Sequence, residues 1–468
     1  MNVHADPKFA AAEQIVATLR ARGHTAYFAG GCVRDLLLGH LPKDFDVATS
    51  ATPTEVTALF PKTFTVGAHF GVVLVVTPAP DETDIATEVA TFRSDGAYSD
   101  GRRPDSVQFS TDPAEDVRRR DFTINGMLLD PAAPSLDSGI LDLVNGRADL
   151  SAKIIRAIGD PNARFAEDKL RMLRAIRFTA RLHFSLDPAT AAAIRTRAPD
   201  IAQVSAERIR EELTRMLTEG NAHTAFELLR QTNLLAQVLP EATRMIGVQQ
   251  PPQYHPEGDV WVHTMLLLQK LPAGCSPTLA WGALLHDIGK PATFRAPALN
   301  PDGSTVKPND RIRFDGHVEV GVRIAEDILR RLRFSTADTD QILALIKNHM
   351  RFGDVMQMKQ STLKRFFRLN NFPEHLELHR LDASSAHNDL TLYHFAKEKF
   401  ETAPPEEVRP PLLVGGRDLI TAGYKPGPRF TEMLHFAEDA QLDGTVSTRA
   451  ESLALLERHF GPPPLPDA

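Results

Sequence analysis

Two carboxylates lie two residues apart in the stretch KDFDVAT, at Asp44 and Asp46. If this stretch is a strand, side chains at positions i and i+2 point to the same face, so the two carboxylates converge on one site. Like charges repel each other there unless they share a cation. Mg²⁺ is held by one or two carboxylates together with substrate phosphates, and it promotes attack on a phosphate. The pair therefore indicates a Mg²⁺ site for phosphoryl-transfer chemistry.

A glycine pair just upstream is the second candidate element. Gly30 and Gly31 end one predicted strand and precede a predicted helix. Free N–H groups and the helix dipole suit a phosphate at such a position, and Arg34 would add a charged fork. Taken alone, a glycine pair is also typical of a tight turn, and DFD of an exposed strand end. Each signal is weak by itself.

The joint pattern is far more specific. GGCVRD followed by KDFD resembles the head of the class II tRNA nucleotidyltransferase and poly(A) polymerase family, within the polymerase β superfamily. RRRDFTING at 118–126 is similar to the family's ribose-contacting motif, EDKLR at 167–171 to its nucleobase-selecting motif, and RIREEL at 208–213 to a later helix signature. The final Gly of TING, where the family more commonly has Ala, puts little in doubt.

The resemblance implies a role for each residue that matches a motif. Asp44 and Asp46 are the implied catalytic Mg²⁺ ligands. Asp168 and Arg171 would face the incoming base: a carboxylate accepts from the exocyclic amine that C and A share, and an arginine donates to ring acceptors. The implied nucleotide-binding residues are Gly30, Gly31, Arg34, Arg120, Asp121, Asn125, Asp168, Arg171, Arg174 and Arg177.

Two parts of this assignment keep a simpler alternative. Glu88, in ATEVATFR, is a candidate third catalytic carboxylate or else part of an exposed strand face. The arginines of AEDKLRMLRAIRFTARL recur every three or four residues, and such a stripe is more often a solvated helix face. The resemblance favours a base- and phosphate-binding role for the stripe.

A second set of candidate residues lies between 256 and 400. Imidazole and carboxylate ligands on several helices suit a two-metal hydrolytic site, whereas a single buried histidine is more often a core residue. The ordered set containing HDIGKP resembles the HD-domain metal phosphohydrolase family, which implies a site for Mn²⁺, Ni²⁺ or Mg²⁺. The implied ligands are His263, His286, Asp287, His317, His349 and Asp382. In many relatives this helical body is only a scaffold for tRNA, and the full ligand set favours an active site here.

Hydrophobic periodicity predicts the elements that must position these residues. Up to about residue 145 the chain alternates helices and strands, including a helix near 8–22 and strands at AYFAG, FDVAT, GVVLVV and DIATEVATF. We expect Asp121 and Asn125 to lie one turn apart on a helix. The polar stretch at 93–106 predicts a mobile loop that reshapes the base pocket between additions. Strand signals disappear from about 150 to 245, where helical patterns take over.

The predicted fold class is α+β. Residues 1–148 are expected to form a polymerase β-like nucleotidyltransferase head with a mixed sheet, and 149–250 an all-α neck for base selection and RNA binding. An HD domain over 251–400 and a C-terminal helical tail over 411–460 follow. Contact of the tail with the RNA backbone, through Arg417, Lys425 and Arg429, and a plain packing hairpin are equally compatible with its sequence.

Composition restricts the remaining choices. The 468 residues are 42% apolar, enough for several cores, yet the longest uninterrupted apolar run is VVLVV at 72–76. With an N-terminus that alternates charge and alanine, this predicts a cytoplasmic protein without membrane contact. Only Cys32 and Cys275 are present, which argues against a disulfide framework and a cysteine-rich zinc site. The net charge of −7 argues against nonspecific coating of nucleic acid but leaves room for a local basic groove.

The leading functional prediction is template-independent addition of CCA to tRNA 3′ ends from CTP and ATP, with Mg²⁺ at the head and accessory HD phosphohydrolysis. An enzyme that adds only A, or a poly(A) polymerase, is a close alternative because the same residues serve all three reactions. The presence of the charged loop makes CC-only addition the weakest choice. Alternatives of another class are an HD phosphohydrolase with a noncatalytic RNA-binding head, and a noncatalytic RNA-binding protein. The intact Asp44 and Asp46 argue against both.

Overall fold

The computed structural model describes residues 3–67, 71–78, 84–95, 106–298, 300, 305–307 and 310–463. The chain divides into two compact units. The first comprises residues 1–243 with 272–274 and 331–333, and the second comprises 244–271, 275–330 and 334–468. Among the helices in these described ranges, none combines the length and apolar character needed to cross a membrane.

A seven-stranded mixed sheet organises the first unit, with the order β3-β4-β5-β2-β1-β8-β9. Strand β2 runs parallel to β5, and the other neighbours in the sheet are antiparallel. Two short pairs, β6–β7 and β10–β11, lie outside it. The strands are β1 Ala26–Ala29, β2 Asp46–Thr49, β3 Thr63–Gly67, β4 Val72–Pro78, β5 Asp84–Thr91, β6 Arg93–Asp95, β7 Val107–Phe109, β8 Met127–Leu129, β9 Ile140–Asp142, β10 Ile154–Ile155 and β11 Ser185–Leu186.

Alternation along the strands buries both faces of this sheet. Phe28 of β1 packs edge-on against Phe9, with ring centres 5.3 Å apart, and Phe9 packs in the same way against Phe45. The next residue, Ala29, belongs to a core cluster with Phe92 and Leu128, because successive side chains of a strand point to opposite faces. The sheet is therefore a rigid base for the residues at the ends of its strands.

The helices of the first unit alternate with the strands as far as β9. The helices after β9 follow one another with no further strand of the seven-stranded sheet between them. Asp6 caps the first of the unit's helices by accepting from the Lys8 N–H at 2.7 Å, and Pro7 occupies the first helical position. These helices are α1 Pro7–Ala21, α2 Gly31–Leu37, α3 Pro53–Leu59, α4 Pro113–Arg118, α5 Leu136–Gly139, α6 Gly146–Ala152, α7 Pro161–Glu167, α8 Leu170–Leu182, α9 Pro188–Arg197, α10 Ala206–Thr218, α11 Ala222–Gln231, α12 Leu234–Val238 and α13 Pro240–Thr243.

The second unit is helical throughout its named elements. Phe352, Phe366 and Phe372 are fully or almost fully buried in one of its cores, and Leu419, Met433 and Leu456 in another nearer the C-terminus. Its helices are α14 Val260–Gln269, α15 Pro277–Leu285, α16 Lys290–Thr293, α17 His317–Arg331, α18 Thr336–Asn348, α19 Gln360–Phe367, α20 Phe372–Ser385, α21 Thr391–Thr402, α22 Pro405–Val408, α23 Gly416–Thr421, α24 Arg429–Leu442 and α25 Arg449–Phe460.

The α+β fold class is confirmed, and the predicted helices and strands of the head are found within a few residues of their expected bounds. Strands β3, β8 and β9 were not predicted, because their runs are short. The expectation that strand signals end at 150 was wrong in one detail, since β10 and β11 pair over two residues each. Three helices, and not a hairpin, make up the tail from Gly416 to Phe460.

Three local expectations near the site also need correction. Asp44 precedes β2, which begins at Asp46. Asp121 and Asn125 do not share an α-helix: α4 ends at Arg118, and only a short 3₁₀ turn spans Thr123–Asn125. The segment at 93–106 begins with a strand, Arg93–Asp95, that pairs with Val107–Phe109, and residues 96–105 of the predicted loop lie outside the described residues.

At Gly289 the backbone lies close to the backbone of helix α17. A Cβ at this position would lie 2.1 Å from the carbonyl oxygen of His317 and 2.5 Å from the backbone nitrogen of Gly321. The first turn of α17 therefore packs directly on the backbone that follows Asp287. Gly289 is required for close approach and not for an unusual φ, which is −83°.

We predict that Gly289→Ala lowers the free energy of unfolding of the second unit by about 1–3 kcal/mol, the usual effect of overpacking. Denaturant unfolding of the full chain, followed by circular dichroism, measures the change. Gly353→Ala is the matched control, since nothing lies within 4 Å of a Cβ there. Equal stability of the two variants would contradict the close approach.

Candidate functional site

Three carboxylates meet at the start of β2. Asp46 is its first residue, and the in-register pairing of Val47 with Val89 on β5 brings Glu88 beside Asp46 on the same face. Burial, then the neighbouring Glu88 carboxylate, raise the pKa of Asp46 to about 6, with Asp44 adding to the effect and Arg120 opposing it. A group that resists ionisation next to two other acids is a fit for a divalent cation, because oxygen ligands of this kind suit Mg²⁺.

Asp44 occupies a more open position than the strand geometry predicted. Its side chain is 62% exposed, and Lys8 Nζ lies 3.2 Å from Asp44 Oδ1. The Lys8 ammonium also donates to the carbonyl of Lys43 at 2.7 Å. Asp44 and Asp46 nevertheless line one cleft.

The glycine pair lines the same cleft. It lies beside Asp46, because Ala29, the residue before Gly30, pairs with Asp46 in the sheet. Gly30 has φ 79° and ψ −133°, a conformation that glycine adopts far more readily than other residues, and Gly31 begins α2. A Cβ on Gly30 would lie 3.1 Å from Arg120 Nη1. Arg120 itself donates to Asp116 Oδ2 at 2.9 and 3.1 Å, and the side chain of Asp116 is entirely buried. The backbone thus comes close to a guanidinium whose position is fixed from behind.

A chain of hydrogen bonds joins the sheet to α8. Arg34 Nη1 donates to Asn125 Oδ1 at 2.7 Å, and Asn125 Nδ2 donates to Asp121 Oδ1 at 3.1 Å. Arg174 donates to Asp121 Oδ2 through Nε at 2.9 Å and Nη2 at 2.6 Å. Although burial opposes it, the Arg174 charge lowers the pKa of Asp121 to about 2. The residues that the motifs predicted are therefore brought together, although the predicted helix does not exist.

The arginine stripe of α8 faces the cleft and not the solvent. Arg171 and Arg177 are buried, and Arg177 Nε donates to Glu212 Oε2 of α10 at 2.7 Å. Arg171 donates to Glu167 Oε2 and to the carbonyl of Arg119, each at 2.8 Å. The cleft has a volume of about 730 Å³ and is basic; among its lining residues are Arg34, Arg119, Arg120, Arg171, Arg174, Arg177, Arg181, Arg208 and Arg215.

Asp168 lies at a break that the sequence did not predict. The expected single helix is two, because α7 ends at Glu167 and Asp168 has an extended backbone. Its Oδ1 accepts from the Leu170 N–H at 3.1 Å, and its Oδ2 accepts from Arg208 Nη2 at 3.3 Å. This break turns the Asp168 carboxylate toward the cleft. Sequence reasoning noted the RIREEL motif but missed Arg208 as the partner of Asp168.

A second cluster, in the second unit, contains the histidines and aspartates of the HD-like pattern. They form two groups in which the ligand atoms lie within 4.8 Å of one another: His263, His286 and Asp382, and then Asp287, His317 and His349. Asp287 faces both groups. Its Oδ2 lies 3.2 Å from His286 Nε2, and its Oδ1 lies 3.8 Å from His317 Nε2 and 3.9 Å from His349 Nε2.

The outer ring nitrogens fix the orientation of these histidines. The Nδ1 atoms of His286, His317 and His349 lie 2.7–2.9 Å from backbone carbonyls. Such carbonyls accept a hydrogen bond from the Nδ1–H group, so each Nε2 carries a lone pair directed at the cluster. Nε2 of His286 and His317 is buried and makes no well-aligned hydrogen bond with the described residues. Burial, and then His286, lower the pKa of His349 to about 4, which favours the neutral form that binds metal.

Two further residues hold this cluster, and the sequence analysis missed both. Glu257 Oε1 lies 2.7 Å from His263 Nδ1, and Lys290 Nζ lies 2.7 Å from Asp287 Oδ2. Although burial opposes it, the neighbouring His286 and Lys290 keep the pKa of Asp287 well below its usual value. Lys290 was detectable, because it follows Asp287 at i+3 in HDIGK, whereas Glu257 has no such local signal. The donor set fits a pair of divalent ions.

Three family models match the chain, in the order of the elements just described. The poly A polymerase head domain matches residues 26–156, and a model described as the probable RNA and SrmB-binding site of polymerase A matches 183–246. The HD domain matches 260–384. The first covers the carboxylates and the glycine pair, and the third covers all six candidate ligands of the second cluster.

Individual relatives agree with these models. A CCA-adding enzyme of Geobacillus thermodenitrificans is 45% identical over 228 residues, a match that spans 49% of this chain and about half (54%) of the relative. A solved structure of the Bacillus stearothermophilus CCA-adding enzyme in complex with CTP superposes with a TM-score of 0.69 and 28% identity, covering 97% of this chain and 98% of that one. A Thermotoga maritima CCA-adding enzyme complexed with tRNA, 18% identical with a TM-score of 0.59, shows the shared fold.

One curated relative matches nearly the whole sequence. A CCA-adding enzyme of Anoxybacillus flavithermus is 31% identical over 449 residues, which is 95% of this chain and 96% of the relative. Since that match joins the head, the RNA-binding region and the HD domain in one alignment, the chain belongs to the family of CCA-adding enzymes, which are tRNA nucleotidyltransferases.

Proposed function

We propose that the protein adds CCA to tRNA 3′ ends without a template, using CTP and ATP. The observation that carries the proposal is the cleft that Asp44, Asp46, the glycine pair and a basic surface line together. Acids alone suit a cation and arginines alone suit phosphate, and their combination suits a metal–nucleoside triphosphate. The names of relatives, including one solved with CTP, support the same substrates. An A-adding enzyme or a poly(A) polymerase is the alternative.

In this mechanism Asp44 and Asp46 hold Mg²⁺, and Glu88 supports Asp46 from the adjacent strand. Bound Mg²⁺ supplies polarisation of the phosphate and activation of the attacking 3′-hydroxyl. Gly30 lets the backbone approach the triphosphate closely, and Arg120 lies beside it to offset phosphate charge. Asn125 and Asp121 are assigned to contact the ribose. The tRNA 3′-hydroxyl attacks the α-phosphate, and pyrophosphate leaves.

Base choice is assigned to Asp168 and Arg171, with Arg174 and Arg177 at the base or phosphates. Asp168 accepts from the exocyclic amine of C or A, and to do so it exchanges part of its contact with Arg208. U and G present a carbonyl at that edge and are rejected. Because Arg171, Arg174 and Arg177 are already held by protein carboxylates or carbonyls, the pocket is largely preformed. The stretch at 93–106 is proposed to adjust it between additions.

The proposed domain division assigns residues 1–148 to the head, 149–250 to the neck, 251–400 to the HD domain and 411–460 to a tRNA-binding tail. Arg429 already donates to the carbonyl of Phe460 at 3.0 Å, so it stabilises the tail as well as offering charge to RNA. Since tRNA, CTP and ATP are the proposed partners, the cytoplasm is the proposed compartment.

A second activity, hydrolysis of a phosphoester, is proposed for the HD domain. The observation that favours it is the position of Asp287, whose two oxygens face the two ligand groups separately, as a metal-bridging carboxylate requires. Mn²⁺, Ni²⁺ or Mg²⁺ bound there supplies a water nucleophile of lowered pKa. A 2′,3′-cyclic phosphate or a 2′-phosphate at an RNA end is the proposed substrate.

We predict that Asp44→Asn or Asp46→Asn abolishes nucleotide transfer and leaves tRNA binding nearly intact. Metal-supported charge stabilisation is worth several kcal/mol, so transfer should fall by at least about a hundredfold. Single-turnover transfer to tRNAs that end before C74, C75 or A76, with each nucleotide in turn, measures it. Asp84→Asn is the control, because Asp84 is an exposed carboxylate of β5 that pairs with Lys62. Near-normal turnover in either site variant with Mg²⁺ would refute the metal assignment.

Asp168→Ala is expected to relax base choice more than it weakens triphosphate binding, because the carboxylate faces a base edge. Losing one such contact costs about 1–3 kcal/mol of discrimination. Competition of CTP and ATP against UTP and GTP measures the change. Asp160→Ala, which removes only the cap of α7, serves as control. Unchanged preferences in Asp168→Ala would exclude this residue from the pocket.

Asp287→Ala should abolish phosphoester hydrolysis while CCA addition persists, because the nucleotidyl carboxylates belong to the other unit. Bound metal, counted by elemental analysis after loading with Mn²⁺ or Ni²⁺, should fall with it. Asp327→Ala, at an exposed Asp327–Arg330 pair, is the control. Wild-type protein that binds no transition metal and hydrolyses none of these esters would support a scaffold role for the HD domain instead.

A further inference from the structure

The cavity beside the HD ligand cluster has features that metal binding alone does not require. Its volume is about 480 Å³, and four of the candidate ligands line it. Basic and aromatic side chains complete the lining: Tyr254, Lys290, Arg311, Arg313 and Phe314. Such residues are suited to a ligand that carries both negative charge and a flat ring.

Tyr254 is the most informative of these residues. It follows a turn in which its N–H donates to the carbonyl of Pro251 at 3.0 Å, and 49% of the residue is exposed. The guanidinium carbon of Arg311 lies 4.9 Å from the centre of the Tyr254 ring, so one face of the ring is covered by a planar cation. A scattered exposed tyrosine needs no explanation, but a tyrosine–guanidinium stack on the wall of a phosphoester cavity does.

The other cations of the cavity are differently engaged. Lys290 Nζ lies 2.7 Å from both Asp287 Oδ2 and Gln250 Oε1, so this ammonium is committed to holding the ligand cluster. Arg313, whose side chain is 55% exposed, lies 3.4 Å from Asp310 Oδ1. Positive charge is therefore available along the wall that also carries Tyr254. Phosphate next to the ligand cluster and a base at the wall would both find partners.

We propose that the HD cavity takes a nucleotide ester, with the phosphate at the ligand cluster and the nucleobase stacked on Tyr254 and Arg311, a pair we call the base platform. This inference rests on the proposed HD hydrolase function and adds the residues that hold the nucleobase of its substrate. Aromatic rings and guanidinium planes stack on any base, so the platform selects for a base without reading its identity. A phosphorylated sugar would leave the platform unused.

The reaction balances with water alone. A P–O bond forms to the oxygen of water, the P–O bond to one ribose oxygen of a 2′,3′-cyclic phosphate breaks, and that ribose oxygen takes up a proton. The product is a nucleoside monophosphate. No oxidant or second substrate is consumed.

The test compares a cyclic nucleotide with a base-free ester, using the full chain loaded with Mn²⁺. 2′,3′-cyclic CMP carries the base, and methyl riboside 2′,3′-cyclic phosphate has a methoxy group in its place. Tyr254→Leu should raise KM for cyclic CMP about tenfold, the order of one lost stacking contact, with kcat nearly unchanged. KM for the methyl riboside should not move. Tyr254→Phe, which keeps the ring, should behave as wild type, and CCA addition should be normal in both variants.

A binding measurement gives a readout that does not depend on turnover. Calorimetric titration of the loaded protein with the product, cytidine monophosphate, should show a Kd about tenfold higher in Tyr254→Leu than in Tyr254→Phe. A tRNA fragment ending in a 2′,3′-cyclic phosphate is tested beside cyclic CMP. The one with the lower KM identifies the source of the ester as an RNA end or a free nucleotide. In Tyr254→Leu, the KM for both should rise if the platform holds the base, and an unchanged KM for both would overturn it.

The contrary results separate the two proposals. If wild-type protein hydrolyses none of the three esters, the HD hydrolase function fails, and the platform with it. If it hydrolyses cyclic CMP and the methyl riboside with similar KM, and Tyr254→Leu changes neither, the platform is overturned while hydrolysis stands. Equal losses on both esters in Tyr254→Leu would mean that Tyr254 only supports the cavity, and would also overturn the platform.

Discussion

The ion pair between Asp121 and Arg174 joins the two halves of the nucleotide cleft. Asp121 precedes the turn that leads into β8, whereas Arg174 projects from α8, and the pair connects them through two hydrogen bonds of 2.6 and 2.9 Å. Asn125 extends the connection to Arg34 on α2. Removing either side chain would leave the other charge largely buried and unpaired. The free energy lost in that way is much larger than the net stabilisation that the intact pair provides. The positions of the glycine pair and of the arginine stripe both depend on this connection.

The two sites handle crowded carboxylates in opposite ways. In the head, burial and Glu88 raise the pKa of Asp46, so the nearby Arg120 does not offset the repulsion between the acids. In the HD cluster, His286 and Lys290 keep the pKa of Asp287 low, so its carboxylate is charged before any ion arrives. Asp46 therefore resists ionisation unless a cation is close, whereas Asp287 is held in its charged form by its neighbours.

Short-range spacing allowed candidate site residues to be paired from the sequence, since each motif places its chemistry within a few positions. Asp44 with Asp46, and His286 with Asp287, could be paired from the sequence for this reason. The partners that fix these groups were not predictable: Arg208 lies 40 residues from Asp168, and Glu257 has no period or motif in common with His263. The bend at Asp168 was missed because no glycine or proline marks it between Asn162 and Leu182. There, tertiary contacts outweigh the helical pattern.

The same reasoning explains why the arginine stripe is a wall of the cleft and not a solvated face. A guanidinium is buried only if its charge and its N–H groups find partners, and Arg177 has Glu212 of α10 and Glu219, the residue that follows α10. These acids fix the direction of the Arg177 N–H groups. The guanidinium carbons of Arg34, Arg174 and Arg177 lie within 5.3 Å of the centre of the Phe178 ring. The ring therefore also stabilises these cations. A surface prepared in this way can recognise a base edge with protein groups, where a polymerase with a template would use a paired strand.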